Sequence, residues 1–336
     1  MRIPSPAILL TAVVASTMTA PLARPAAAQG VTWKLTTLDR ESEITSQPLV
    51  WWIKTIGERT NKRVEIQPYW SQSLVSAPRT MSAVKSGIAD VGYFVSNLLS
   101  SEEKDFAPFD IDGALPTDAS YLQTWQKIEP VVARILDRHG VEMMWPRRSA
   151  KVAISCKNKF LTQASDYAGV KIRAAGRWES ASITRWGAAP FSIPPADTYT
   201  ALQSGTVDCT YHIYTLVWAL KLFEVAPYIT QIDNSAAFTF MAVNKAKWNQ
   251  ISEADRATIK QVSDEAMKRE VEVLATRENG IIEDIAKAGG KFHRPSPEEH
   301  KRLSDAVKPL WVEVRKSVGL NGAALVDILE PLQSKR

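Results

Sequence analysis

The chain has 336 residues, 45% of them hydrophobic, and its 41 Lys and Arg against 36 Asp and Glu give a formal charge of +5. No Lys/Arg run concentrates this mild excess, so a nucleic-acid partner is not expected. The length suffices for two lobes with sizeable cores. Two cysteines, Cys156 and Cys209, exclude a disulfide-framework protein. They could form one disulfide, but two small buried thiols are preferred because the distance limits on a disulfide are strict.

The first 28 residues have the pattern of a secretory signal peptide. Arg2 precedes an uncharged apolar run over residues 8–20, and Ala26–Ala28 offer a small-residue cleavage site. The run is shorter than the roughly 20 residues of a membrane-spanning helix, although an uncleaved anchor is the alternative. We expect cleavage near Ala28 and a soluble, periplasmic mature chain. Lys and Arg then fall from 41 to 39 against 36 Asp and Glu, a net charge of +3.

Strands and helices alternate over the first part of the mature chain. Period-2 patterns predict strands at 33–37, 63–69 and 89–94, and helical spacing predicts helices at 48–58 and 80–87. This order predicts a parallel sheet with right-handed crossovers. Ligands bind beyond the carboxyl ends of the strands in such sheets. Tyr93 and Phe94 fall at one of those ends.

The next segment contains an arginine in a position suited to binding. Arg173 ends a short apolar strand formed by Val170 and Ile172. A helix whose last turn is 199–205 and a strand at 206–209 follow. An arginine at a strand end beside a crossover helix is well placed to hold a carboxylate. A surface ion pair with a neighbouring acid is the alternative role.

The remaining chain is predicted to be mainly helical. After a strand at 151–155, the Arg173 segment and a helix at 216–224, a strand at 236–244 returns to the first lobe. Ser252 is predicted to cap a long helix that runs towards residues 289–290, and Ser296 with Pro297 begins another.

The sequence lacks the common catalytic and cofactor motifs. None of its four histidines lies in an H-E-x-x-H pattern, and the cysteines do not have zinc-ligand spacing. A nucleophile elbow, a P-loop and a dinucleotide-binding turn are also missing from the sequence. We therefore expect no metal, no cofactor and no enzymatic activity. An exported α/β enzyme acting on a carboxylate remains an alternative, because catalytic triads are spatial.

Four segments carry a family resemblance: VKSGIADVG at 84–92, YAGVKIR at 167–173, YTALQSGTVD at 199–208 and NKAKW at 244–248. In this order the chain resembles the DctP-type substrate-binding proteins of tripartite ATP-independent periplasmic (TRAP) transporters. The resemblance covers essentially the whole mature chain. It implies an α/β, two-lobed periplasmic-binding-protein architecture, with a mainly parallel sheet flanked by helices in each lobe. A long helix is expected to span both lobes.

The resemblance also implies a division of the chain and a function. The expected parts are a signal peptide (1–28), the first part of lobe I (29–145), lobe II (146–230), and a return to lobe I with the long helix and C-terminal helices (231–336). Such proteins capture a small organic acid, close around it by a hinge motion and deliver it to a membrane permease. We expect a monomer. A binding protein of an ATP-driven importer is the other alternative.

The family's signature arginine corresponds to Arg173, which implies a bidentate salt bridge with the ligand carboxylate. Many members have a second arginine near the position of Ala153, where this chain has none. Arg148 or Lys151 could replace it from the same segment.

Further departures bear on the ligand. Many members have an asparagine where this chain has Tyr211 and His212, which are therefore expected to contact the ligand, although a lone histidine can be structural. Trp178 is expected to stack on the substrate or, alternatively, to pack inside the lobe. Tyr93, Phe94 and Phe238 are expected to line the opposite wall. These features predict a monocarboxylate with an apolar or aromatic body.

Overall fold

The structure is a computed structural model. It describes Met1 and residues 30–99, 102–118, 120–147, 150–235 and 237–333. The predicted signal peptide and the candidate ligand residue Arg148 lie outside the described residues, apart from Met1.

The described residues form two mixed sheets. The strands are β1 (Val31–Thr36), β2 (Val64–Tyr69), β3 (Val91–Val95), β4 (Val141–Arg147), β5 (Lys151–Cys156), β6 (Lys171–Ala174), β7 (Ala189–Ser192), β8 (Cys209–Ile213), β9 (Tyr228–Ser235), β10 (Thr239–Asn244) and β11 (Lys291–His293). The first sheet has the order β2-β1-β3-β10-β4, and the second has the order β11-β9-β5-β8-β6-β7. Lobe I is named here after the first sheet and lobe II after the second.

Helices cover the sheets. They are α1 (Gln47–Arg59), α2 (Thr80–Ser86), α3 (Ser96–Leu99), α4 (Tyr121–Arg138), α5 (Ala164–Tyr167), α6 (Arg177–Arg185), α7 (Thr198–Gln203), α8 (Tyr214–Ala219), α9 (Lys245–Gln250), α10 (Glu253–Lys287), α11 (Pro297–Val307), α12 (Pro309–Ser317) and α13 (Leu320–Gln333). The α/β class and the two-lobed arrangement are as predicted.

Both sheets contain more antiparallel pairing than expected. Strand β1 pairs in parallel with β2 and β3, as predicted, whereas β10 pairs antiparallel with both β3 and β4. In the second sheet β5 likewise pairs antiparallel with β8 and β9, while β6 pairs in parallel with β7 and β8. Strands β5 and β10 are the two that arrive directly from the other sheet. They run away from the junction between the lobes, whereas β3, β6 and β8 run towards it.

Several predicted elements are confirmed, and one strand is displaced. Gly87, with a φ of 77°, caps α2, and the side chain of Ser252 accepts a bond from the Asp255 amide at the start of α10. The strand predicted at 206–209 begins only at Cys209. The amides of Val207 and Asp208 bond instead to the carbonyls of Ala201 and Lys171, so this segment closes the end of α7. Helix α4 was not predicted, and its interior contains Pro130.

The 35-residue helix α10 contacts both lobes, as expected for the long spanning helix. In lobe I, the indole of Trp52 donates to Ser263 Oγ at 2.9 Å. In lobe II, the Lys151 amide donates to Glu278 Oε1 at 2.8 Å, and Ile281 and Ile285 are buried in the core. The second sheet continues through β9 to Ser235 and includes β11, so it extends beyond the predicted lobe II segment.

The two cysteines form a disulfide, so the expectation of two buried thiols is wrong. Cys156 of β5 and Cys209 of β8 are directly opposite in the antiparallel register, with Cα atoms 4.1 Å apart. This register brings together two residues separated by 53 positions in the sequence. The sequence pattern did not reveal it, because the strand containing Cys209 was predicted to begin at residue 206, whereas β8 begins at Cys209.

We expect the Cys156→Ala, Cys209→Ala double variant to be less stable by about 2–4 kcal/mol, because the disulfide restricts the unfolded chain. Calorimetric unfolding of the oxidised wild type and the variant measures this difference. The thiol-free variant should match the reduced wild type. Equal stability of the oxidised and reduced proteins would contradict the expectation.

Candidate functional site

Arg173 lies near the carboxyl end of β6, opposite Thr210 of β8, and is only 2% exposed. Its Nε donates to the Ile193 carbonyl at 2.8 Å and its Nη1 donates to the Tyr211 carbonyl at 3.3 Å. These carbonyls orient the guanidinium but do not neutralise it. Burial lowers the pKa of Arg173, an effect that the charge of Glu179 opposes. Among the described residues, no carboxylate forms an ion pair with it.

Arg147 provides the contrast, because it is equally buried but neutralised. Its Nη1 lies 2.5 Å from Asp39 Oδ2 and its Nε lies 2.7 Å from Glu270 Oε1. Burial alone would lower the pKa of Arg147, but Asp39 and Glu270 raise it well above the usual value. Arg147 and Arg173 are the two buried arginines of the described residues. Of these two, Arg173 alone lacks an acid partner.

His212 and Tyr211 point to opposite faces of the second sheet, since neighbouring side chains in a strand alternate. His212 shares the face of Arg173 and is 6% exposed, and its Nε2 lacks a hydrogen-bond partner in the described part of the chain. Burial and the charge of Arg173 lower the pKa of His212 well below its usual value, so the ring is neutral. The Tyr211 hydroxyl donates to Asp112 on the other face. Only the Tyr211 backbone reaches Arg173.

Two hydroxyls that the sequence analysis did not single out extend this polar face. Ser155 of β5 and Thr210 of β8 are opposite each other in the register, and neither is exposed. Their side-chain oxygens have no hydrogen-bond partner within the described residues. Both residues alternate with apolar neighbours that point to the opposite face. This alternation could have indicated the two hydroxyls from the sequence, but only if the start of β8 had been predicted correctly.

The sequence analysis also missed Glu179. This residue lies in the first turn of α6, is 6% exposed, and accepts a bond from the Ala175 amide at 2.7 Å. Burial raises the pKa of Glu179 to about 7, against the opposing effects of Arg173 and of hydrogen bonds from Ala175 and Asn97. Asn97 belongs to α3 of lobe I, so Glu179 lies where the lobes meet.

The predicted aromatic residues lie mainly in the core. Phe94 and Phe238 have no exposed surface, and both rings stack on Phe240, with centroids 4.9 and 5.2 Å apart. Trp178 is 4% exposed and packs in the same apolar cluster. Tyr93 lies under the guanidinium of Arg147, 4.6 Å from the ring centroid, and burial raises the pKa of its hydroxyl to about 12. The expected roles of these four rings in ligand binding stay predictions.

Two other features of the described residues concern binding and location. They contain no group of three or more His, Cys, Asp or Glu side chains arranged to hold a metal ion. In the same part of the chain, no helix combines the length and apolar character needed to cross a membrane.

Comparisons with known proteins identify the family. Residues 37–317 match the model of DctP, described as bacterial extracellular solute-binding protein, family 7. The C4-dicarboxylate-binding periplasmic protein DctP of Vibrio cholerae is 25% identical over 278 residues, which are 79% of this chain and 80% of that protein. An extracytoplasmic solute receptor of Bordetella pertussis that binds pyroglutamic acid has a TM-score of 0.81 and 20% identity, over 91% of this chain and 100% of the receptor. A TRAP periplasmic solute-binding protein of Ralstonia eutropha with bound (S)-2-acetolactate has a TM-score of 0.80 and 23% identity, over 91% of this chain and 99% of that one. The chain therefore belongs to the DctP family of bacterial extracellular solute-binding proteins, the substrate-binding proteins of TRAP transporters.

Proposed function

We propose that this protein binds a small organic acid through Arg173 and delivers it to a TRAP membrane permease. The observation that carries the proposal is the burial of the Arg173 guanidinium without an ion-pair partner among the described residues. An unpaired buried charge costs several kcal/mol, in the range of about 3–5 for a broken buried pair. A ligand carboxylate would supply the missing charge in a fork-to-fork geometry.

The same residues favour a ligand with one carboxylate. Arg147 is already bonded to two acids, and His212 is neutral, so neither offers a free positive charge to a second carboxylate. The apolar or aromatic body is proposed from the sequence position of Trp178, five residues after Arg173, although its ring packs in the apolar core cluster. The ligands differ among relatives: the Vibrio cholerae protein is named for C4-dicarboxylates, whereas the Bordetella pertussis receptor binds pyroglutamic acid.

Delivery follows from closure of the two lobes around the acid. Closure would remove the salt bridge of Arg173 from water, where a charge-assisted bond is stronger. In this proposal the mature protein works as a monomer in the periplasm after cleavage near Ala28. N-terminal sequencing of the exported protein tests the cleavage site.

A panel of acids and their amides tests the proposal by thermal shift and calorimetry, because a ligand of the folded state raises the melting temperature. Benzoate, phenylacetate and pyroglutamate represent monocarboxylates without sugar hydroxyls, succinate represents dicarboxylates, and galacturonate represents sugar acids with one carboxylate. We expect binding of at least one of the first three acids and at least a hundredfold weaker binding of its amide. Binding of succinate alone would contradict a ligand with one carboxylate, and binding of galacturonate alone would contradict the apolar or aromatic body. Equal binding of acids and amides would contradict the role of Arg173.

A further inference from the structure

Glu179 is a buried acid that lies close to Arg173 without bonding to it. It is positioned by the link between β6 and α6, where its Oε1 accepts from the Ala175 amide at 2.7 Å. On the lobe I side, Asn97 approaches within 3.3 Å of the position of a Cβ on Gly176, so little space separates this link from α3. No hydrogen bond or ion pair joins Glu179 to Arg173 among the described contacts. Two buried opposite charges therefore share one region without neutralising each other directly.

The two charges still act on one another. Arg173 lowers the pKa of Glu179, which burial has raised to about 7, and Glu179 opposes the lowering of the Arg173 pKa by burial. Glu179 is the acid that acts most strongly on Arg173. When ionised, it is the counter-ion of Arg173 in the ligand-free protein.

Building on carboxylate capture at Arg173, we propose that the ligand carboxylate replaces Glu179 as the counter-ion and that Glu179 takes up one proton from water. One carboxylate charge replaces another beside Arg173, and the new O–H bond forms on Glu179. The net charge of the buried site is thereby unchanged. Capture of the acid is then coupled to proton uptake by the protein.

The other charged groups around α6 are consistent with Glu179 as the group that takes up the proton when the ligand binds. Asp112 adds a negative charge that favours its protonated form. Tyr211, bonded to Asp112, has a pKa raised well above its usual value, and His212 is neutral. The acids on the other elements packed against α6 have partners: Asp110 bonds to Ser96, Glu299 to Arg302, and Glu313 to Arg185.

The coupling predicts the direction of a pH effect on affinity. Below about pH 7, Glu179 of the free protein already carries its proton, so the affinity does not change with pH. Above this pH, binding must add the proton, and the affinity falls by up to about tenfold per pH unit. The affinity keeps falling until the pH exceeds the pKa of Glu179 in the complex, which is higher than its pKa in the free protein.

Calorimetry of pyroglutamate binding at about pH 8, in buffers of different ionisation enthalpy, measures the proton uptake. We expect uptake of up to one proton by the wild type and by Glu224→Gln, an exposed control in lobe II. Glu179→Gln resembles the protonated state, so it should bind pyroglutamate with no uptake and with the same affinity at pH 7 and 8.5. Absence of uptake by the wild type, its persistence in Glu179→Gln, or loss of binding by that variant would overturn the proposal.

If pyroglutamate does not bind, a pH titration of Glu179 in the ligand-free protein tests its coupling to Arg173. A protonated carboxyl group has an infrared carbonyl band, which measures the protonation of Glu179. The band that is lost in Glu179→Gln is assigned to this residue. We expect the band to disappear around pH 7 in the wild type and at least one pH unit higher in Arg173→Gln, whose fold circular dichroism verifies. An unchanged midpoint in Arg173→Gln would refute the coupling. If every acid fails to bind the wild type, the proposed function fails, whatever the infrared result.

Discussion

Replacement of Arg173 by methionine is expected to weaken binding of the acid by a factor of several hundred or more. The variant removes the charge that pairs with the ligand carboxylate, and loss of one partner of a buried pair costs about 3–5 kcal/mol. Isothermal calorimetry with the tightest monocarboxylate of the panel measures the loss. Arg173→Lys should recover only part of the affinity, because an ammonium lacks the planar fork of guanidinium.

The fold should survive this substitution. Arg173 forms no direct ion pair among the described residues, and Glu179 can take up a proton when the guanidinium charge is removed, so Arg173→Met should unfold close to the temperature of the ligand-free wild type. Arg185→Met is a matched control on the neighbouring helix α6, since its guanidinium forms an exposed pair with Glu313. Near-wild-type affinity of Arg173→Met would contradict the assignment of the site, and so would an equal loss in Arg185→Met.

Replacement of Arg147 by alanine is expected to destabilise the protein by about 3–5 kcal/mol. The substitution leaves Asp39 and Glu270 buried without the cation that bonds to both. It also removes the packing of the guanidinium over the ring of Tyr93. Denaturant unfolding at neutral pH measures the loss.

Arg59→Ala is the control for this prediction. Arg59 also bonds to helix α10, through Glu265, but both side chains are partly exposed to water. Such pairs contribute at most about 1 kcal/mol. Losses of similar size in Arg147→Ala and Arg59→Ala would show that the buried position of Arg147 has no special role in stability.

Local patterns in the sequence predicted much of the fold. The period-2 strands at the start of the chain, the cap residue Ser252 and the family segments required no knowledge of distant contacts. They led to the two lobes, to α10 and to Arg173 at a strand end. The displaced start of β8 shows the limit of this approach. Residues 206–208 have the alternation of a strand, but their amides bond to a helix end and to the residue that begins β6.

The electrostatic state of the candidate site could not be predicted in the same way. Arg147 lies in a basic cluster of the sequence, and its acid partners are 108 and 123 positions away. From the sequence, Glu179 is expected to be a solvent-exposed acid on a helix, but packing against lobe I buries it. Burial and pairing of this kind depend on how the sheets and α10 come together. They determine which of the two buried arginines lacks an acid partner among the described residues.

Helix α10 bonds to the chain where it crosses from one lobe to the other. Glu270 bonds to Arg147 at the end of β4, and Glu278 bonds to the Lys151 amide at the start of β5. These two acids are about two helical turns apart, close to 12 Å along the axis. One helical segment thus bonds to both sides of a chain crossing between the lobes. If the lobes close around the ligand as proposed, we expect this segment to bend or roll, so that the pivot lies near residues 270–278 and displacements grow towards the outer ends of the lobes.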